Sequence, residues 1–215
     1  MGPTTLLLID DHPLFRRGLA EYFNSTGEFQ VVGEASSGRQ GIALAEQLRP
    51  GLILIDLHMP GLGGLHVLDE LGQLEIESRK IVLTASLDRN ELLTALRLGA
   101  DGYMLKETEP EDLRLYIRNC VQGVIVLDDC LVTLLAKDDD VPEGERGARQ
   151  VELTGREAQT LALISEGMSN KQIARQLGIS DGTVKVYVKN LLRKLNLRSR
   201  LELAAWVHRD ALTRQ

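Results

Sequence analysis

Four short apolar runs in the first half of the chain each close on a reactive polar residue: LLLI on Asp10 and Asp11, LILI on Asp56, IVL on Thr84 and YML on Lys106. A fifth run covers 29–35, and between the five lie helix-like segments near 14–24, 38–48, 64–72, 89–98 and 110–122. Strand followed by helix, five times over, predicts right-handed crossovers and a parallel sheet with helices on both faces. In such a sheet all strands finish at one edge, where open α/β folds place their ligands, so the polar residues that close the runs should converge. Pro110 suits the first turn of the fifth helix and Gly123 its exit.

The expected architecture is therefore α/β: a doubly wound, five-stranded parallel sheet in the flavodoxin-like order 2-1-3-4-5, followed by an all-α domain. Residues 137–150, KDDDVPEGERGARQ, have no apolar period and read as linker, within a connecting stretch placed at 126–150. This divides the chain into domains at 1–125 and 151–215. Beyond the linker, Thr154 and Glu157 have capping-box spacing, and helices are expected from there to Gly167, over Asn170–Leu177, over about Asp181–Leu195, and over Ser199–Leu212.

Charge separates the same two halves. Residues 1–150 hold 14 Lys and Arg against 25 Asp and Glu, a net −11, whereas 151–215 hold 11 against 6, or +5. The second domain is thus suited to a polyanion. No stretch reaches the roughly 18 apolar residues of a membrane helix and the start lacks a signal-peptide pattern, so a cytoplasmic protein is expected. Cys120 and Cys130 have neither metal nor redox spacing and read as reduced thiols.

Carboxylates converging at a sheet edge repel one another, and a hard cation such as Mg²⁺ compensates them. With the metal in place, one carboxylate can act as a nucleophile toward phosphorus and form an acyl phosphate. Asp56, closing the central strand, is the candidate nucleophile, with Asp10 and Asp11 holding the metal. Lys106 would neutralise phosphoryl oxygens and the Thr84 hydroxyl would donate to one of them.

In the tail, Val184, Val188, Leu191 and Leu195 fall on one face of a helix, flanked by Tyr187 and Leu192; Lys185, Val186, Lys189, Asn190 and Arg193 take the opposite face. Preceded by a short helix and the turn at 178–180, this is the pattern of a helix-turn-helix motif meeting the DNA major groove. Lysines there neutralise phosphates or donate to guanine, and Val186 can meet a thymine methyl.

The segments IDDHPLFRRGL (9–19), VVGEASSGRQGI (31–42), LILIDLHMPGLGGL (52–65), IVLTAS (81–86) and GADGYMLKETEPEDL (99–113) resemble the receiver domain of two-component response regulators. By that resemblance Asp56 is the phosphoacceptor, Asp10 and Asp11 belong to the metal site with the main-chain carbonyl of His58, and Thr84 and Lys106 read the phosphoryl group. Tyr103 takes the position of an aromatic switch that turns inward once Thr84 moves toward the phosphate; the alternative is a half-buried ring with its hydroxyl in water. Pro60, Gly61, Gly63 and Gly64 supply the turn chemistry of the loop after Asp56.

Residues 153–206 resemble the LuxR-type DNA-binding domain, and the combination resembles the NarL subfamily, specifically its nitrate/nitrite regulators, with TVKVYVKN at the recognition helix. Gly155 stands where Pro is usual there, and Tyr187 where His is common. The resemblance implies a sensor histidine kinase as phosphate donor, release of the DNA-binding domain on phosphorylation, and a homodimer on DNA formed through the last helix. Two other readings stay open. One is a phosphohydrolase, in which a second Asp commonly stands two residues after the nucleophile, where this chain has His58. The other is a DNA-binding regulator whose receiver is a phosphate-independent interaction module.

Overall fold

In the computed structural model the residues described are 2–74, 76–85, 87–124 and 153–213, with the side chains of 209–213 left aside. The expected linker at 126–150 and Cys130 lie outside them. Contacts divide the chain into two compact units, residues 1–121 and 122–215, each taken in turn.

The first unit alternates strand and helix: β1 (Thr4–Ile9), α1 (Pro13–Ser25), β2 (Phe29–Ala35), α2 (Gly38–Leu48), β3 (Leu52–Asp56), α3 (Gly64–Gln73), β4 (Arg79–Thr84), α4 (Arg89–Arg97), β5 (Gly102–Leu105) and α5 (Pro110–Val121). The strands form one parallel sheet in the order β2-β1-β3-β4-β5. All five residues of β3 are buried. Since successive side chains of a strand point to opposite faces, both faces of the sheet must be covered there.

Two strands begin earlier than their apolar runs. β1 takes in Thr4 and Thr5, and β4 takes in Arg79 and Lys80, all half-buried. These starts carry no hydrophobic signal because side-chain bonds hold them instead. The Asp101 carboxylate accepts from Arg79 Nη1 at 2.8 Å and from the Lys80 amide at 3.0 Å, and Thr5 Oγ1 accepts from the Gly51 amide at 2.8 Å.

Helix starts follow local chemistry. Pro13 opens α1, Ser37 caps α2 by accepting from the Gln40 amide, and Asp88 caps α4 by accepting from the amides of Asn90 and Glu91. Cys120 is buried, and burial pushes its thiol up to about 12, leaving it unreactive.

The second unit contains α6 (Gly155–Ser165), α7 (Asn170–Leu177), α8 (Asp181–Leu195) and α9 (Arg200–Thr213). Leu161, Ile164, Ile173, Val184, Leu191 and Leu203 form its core. Capping boxes open two helices: Thr154 with Glu157 on α6 and Ser169 with Gln172 on α7. Gly155, at the first helical position of α6, leaves the Thr154–Glu157 capping box in place. α7 ends at Gly178, and Ser180 caps α8 by accepting from the Thr183 amide. Among the described residues no helix is long and apolar enough to cross a membrane.

Candidate functional site

The parallel sheet brings the expected residues to one edge. Asp10 follows β1, Asp56 and Thr84 end β3 and β4, and Lys106 follows β5; Asp10, Asp56 and Thr84 are buried. Lys106 Nζ lies 2.8 Å from Asp10 Oδ2 and 2.7 Å from Asp56 Oδ2, joining residues nearly a hundred positions apart. The Phe15 ring, with its centroid 5.1 Å from Nζ, also faces the ammonium. Asp11 is more open, its side chain 24% exposed.

Burial is the main cause that raises the Asp56 carboxyl above its ordinary range, and the charge of Asp10 adds to it. The Lys106 ammonium, with the His58 amide donating to Oδ1 at 3.2 Å, works the other way. The Asp56 carboxylate is screened from water and faces the Lys106 ammonium at 2.7 Å. Such an anion is a strong acceptor for an electrophile that brings its own counter-cation.

The group also suits a divalent ion. Asp10, Asp11 and Asp56 each present an oxygen, with His12 Nδ1 beside them, all within 4.8 Å of one another. Asp11 Oδ1 and Asp56 Oδ2 are buried atoms with no hydrogen-bond donor aligned on them among the described residues; Lys106 meets the latter off-axis. Hard carboxylate oxygens with free lone pairs are what Mg²⁺ takes as ligands.

The loop after Asp56 separates glycines that the sequence groups together. Gly61 has φ +77°, a left-handed conformation. Gly64 serves a close approach instead, since a Cβ there would stand 2.3 Å from the Asp56 carbonyl oxygen. Gly63 has φ −72°, and a Cβ there would meet only the Leu57 carbonyl oxygen, at 3.3 Å, among the described residues.

Tyr103 is fully buried, which discards the half-exposed alternative. Burial, together with the charges of Glu91 and Asp88, pushes the phenol well up, and the Thr84 side chain beside it works the other way. The Tyr103 amide donates to the Tyr116 hydroxyl at 3.1 Å, tying β5 to α5.

Two contacts were not foreseen from the sequence. The His58 ring bonds Glu91 of α4 at 2.9 Å, across 33 positions. His12 stands among three carboxylates, and its adjacency to Asp10 and Asp11 was the one available signal.

On α8, Val184 and Leu191 are buried, and Val188, Leu192 and Leu195 pack against the same core. Lys185, Val186, Lys189 and Arg193 are exposed, Val186 at 55%, and Asn190 is half-buried. The exposed face of α8 thus sets the methyl groups of Val186 beside the ammonium groups of Lys185 and Lys189. Lys185 pairs with Asp181 one turn back at 3.1 Å. Lys194 does not join the basic face. It reaches Glu157 Oε2 at 2.7 Å, the oxygen that also accepts from the Thr154 amide at 2.8 Å, so one carboxylate caps α6 and anchors α8.

Comparison with known proteins covers both units. The family described as response regulator receiver domain matches residues 6–118, and that described as bacterial regulatory proteins, luxR family, matches 151–207. The chain is 45% identical over 210 residues to the nitrate/nitrite response regulator protein NarL of Escherichia coli strain K12, spanning 98% of this chain and 97% of that protein. It is 44% identical over 198 residues to a nitrate/nitrite response regulator protein homolog of Haemophilus influenzae, with 91% and 92% covered. Among solved structures, the receiver domain of a response regulator NarL from Mycobacterium tuberculosis matches with a TM-score of 0.55 at 29% identity, covering 57% of this chain and 99% of that one. The response regulator ChrA of a heme-sensing two-component system matches with a TM-score of 0.52 at 27% identity, covering 99% and 100%.

Proposed function

The chain belongs to the NarL subfamily of two-component response regulators, a receiver domain joined to a LuxR-type DNA-binding domain, and we propose that phosphorylation of Asp56 is the event that controls it. It is a phosphorylation-dependent DNA-binding transcription regulator. The reading assigns residues 1–125 to the receiver, 126–150 to a linker and 151–215 to DNA binding.

The observation that carries the proposal is the meeting of Lys106 with Asp56 and Asp10, at 2.7 and 2.8 Å, at the carboxyl edge of the sheet. An Asp56 oxygen attacks the phosphorus of a phosphohistidine on a sensor kinase. The P–N bond breaks, the imidazole leaves, and an aspartyl phosphate remains. Lys106 then pairs with phosphoryl oxygens in place of the carboxylates, and the Thr84 hydroxyl donates to one of them. Asp10, Asp11, Asp56 and the main-chain carbonyl of His58 would hold Mg²⁺, which would supply charge neutralisation. Movement of Thr84 is what the buried Tyr103 senses. Relatives of the chain include proteins named as transcriptional regulatory proteins. Turnover of an external substrate is not part of the reading, because His58 stands where an aspartyl-phosphate hydrolase carries its acid.

Release of the DNA-binding domain follows, with a homodimer forming on DNA through α9. Lys185, Val186 and Lys189 face base edges, and Asn190 and Arg193 complete the DNA-contacting face. Nitrate and nitrite are the proposed signals, after the names of the Escherichia coli and Haemophilus influenzae relatives. The test is uptake of phosphoryl label from a small-molecule phosphodonor with Mg²⁺. Asp56→Asn abolishes it; acid-labile, hydroxylamine-sensitive label retained by the variant would place the chemistry elsewhere.

A further inference from the structure

The imidazole of His12 is not used by the phosphoryl chemistry above, yet it stands inside the acidic cluster. Its Nδ1 lies 3.0 Å from Asp11 Oδ1, 3.3 Å from Asp10 Oδ1 and 3.7 Å from Asp56 Oδ2. Two donors bound at about 2.1 Å to one ion are about 3.0 Å apart at adjacent octahedral corners and about 3.4 Å apart in a tetrahedron. The first two separations match those edges without movement of the chain. The ring is placed by its own backbone, since the His12 amide donates to Asp10 Oδ1 at 2.8 Å.

Two further observations point to a cation at this spot. Asp56 Oδ2, on a side chain 2% exposed, has no aligned hydrogen-bond donor among the described residues, the Lys106 ammonium meeting it off-axis at 2.7 Å. A positive group is already drawn into the cluster, for Lys106 Nζ is 3.4 Å from His12 Nδ1 as well as within 2.8 Å of both carboxylates.

We propose that His12 adds a nitrogen donor to the acidic pocket, so that the site takes a borderline transition ion such as Ni²⁺ or Zn²⁺ in preference to Mg²⁺. The inference rests on the reading of Asp10, Asp11 and Asp56 as a divalent-cation site. Carboxylate oxygens alone suit hard ions. One imidazole beside them moves the set toward nickel, copper and zinc, whose affinity for mixed nitrogen and oxygen donors exceeds that of magnesium by orders of magnitude. Such an ion competes with Mg²⁺ for the same carboxylates.

The test is calorimetric titration of the full-length protein with Ni²⁺ and, separately, with Mg²⁺. Wild type binds one Ni²⁺ at least 100-fold more tightly than Mg²⁺, and bound Mg²⁺ is displaced by it. His12→Ala, at a side chain 63% exposed, loses at least tenfold in Ni²⁺ affinity and less than twofold in Mg²⁺ affinity. His66→Ala, a change at an exposed histidine on α3, leaves both unchanged. Ni²⁺ affinity equal in wild type and His12→Ala, or lost in His66→Ala instead, overturns the proposal while Mg²⁺ binding keeps the pocket reading intact. Failure of wild type to bind either ion overturns both.

Discussion

Replacing Gly64 by Ala tests whether the loop after Asp56 is held by a backbone contact rather than by turn preference. A Cβ at Gly64 would lie 2.3 Å from the Asp56 carbonyl oxygen, 2.8 Å from Leu57 Cα and 3.0 Å from the Asp56 carbonyl carbon. All three are main-chain atoms at the end of the central strand, so no side chain can rotate aside. Restoring ordinary contact requires a shift of about 1 Å between α3 and the end of β3. Overpacking of this kind costs about 1–3 kcal/mol, and the gain in helix propensity from Gly to Ala, at most about 1 kcal/mol, does not offset it at the first helical residue.

The expected loss in thermal midpoint is about 4 °C per kcal/mol for a domain of this size. Because Asp56 itself moves, phosphoryl uptake should slow by up to about 10²-fold, the penalty of misplacing a reacting group by 1 Å. Gly63→Ala is the control, with φ −72° and one contact at 3.3 Å; it should behave as wild type. Thermal unfolding and initial rates of label uptake on the full-length chain decide the matter. A Gly64→Ala protein that melts within 1 °C of wild type and is labelled at the same rate refutes the argument.

Lys189→Ala should weaken specific DNA binding by about 1–3 kcal/mol if the ammonium reads a base, and reduce the salt slope by about 1 if it meets phosphate; binding titrations across salt concentration separate the two. Glu157 is held down to about 2, first by the Lys194 hydrogen bond and then by the Thr154 amide. A carboxyl depressed in the folded state stabilises fully above its ordinary 4.5 and ceases to do so as pH falls toward 2. Stability of the carboxy-terminal unit should therefore fall in that window, by about 1 kcal/mol for a partly exposed pair and cap. Glu157→Gln should flatten that part of the profile, and an unchanged acid limb would show that the carboxylate has no such role.

Much of this architecture was legible because a parallel sheet converts sequence order into geometry. Once LLLI, LILI, IVL and YML are read as strands, Asp10, Asp56, Thr84 and Lys106 must share an edge, and they do. β2, α2 and β5 begin and end where apolar pattern and turn residues placed them. The starts of β1 and β4 were hidden, since Thr4, Thr5, Arg79 and Lys80 are kept in the sheet by hydrogen bonds rather than by burial alone. The reason for Gly64 was hidden too, because a composition of turn residues does not separate positive φ from close approach. Pairs such as His58 with Glu91, or Lys194 with Glu157, join exposed-looking charges across 33 and 37 positions. No periodicity reports such a pairing.

The central claim is that a phosphoryl group on Asp56 governs DNA binding by α8, and its most direct test is the affinity of the full-length protein for operator DNA with and without phosphodonor, in wild type and Asp56→Asn. Phosphodonor should tighten binding by wild type at least tenfold and leave Asp56→Asn at the weak, untreated level. Equal affinity of wild type in both states, or tightening that survives Asp56→Asn, would contradict it.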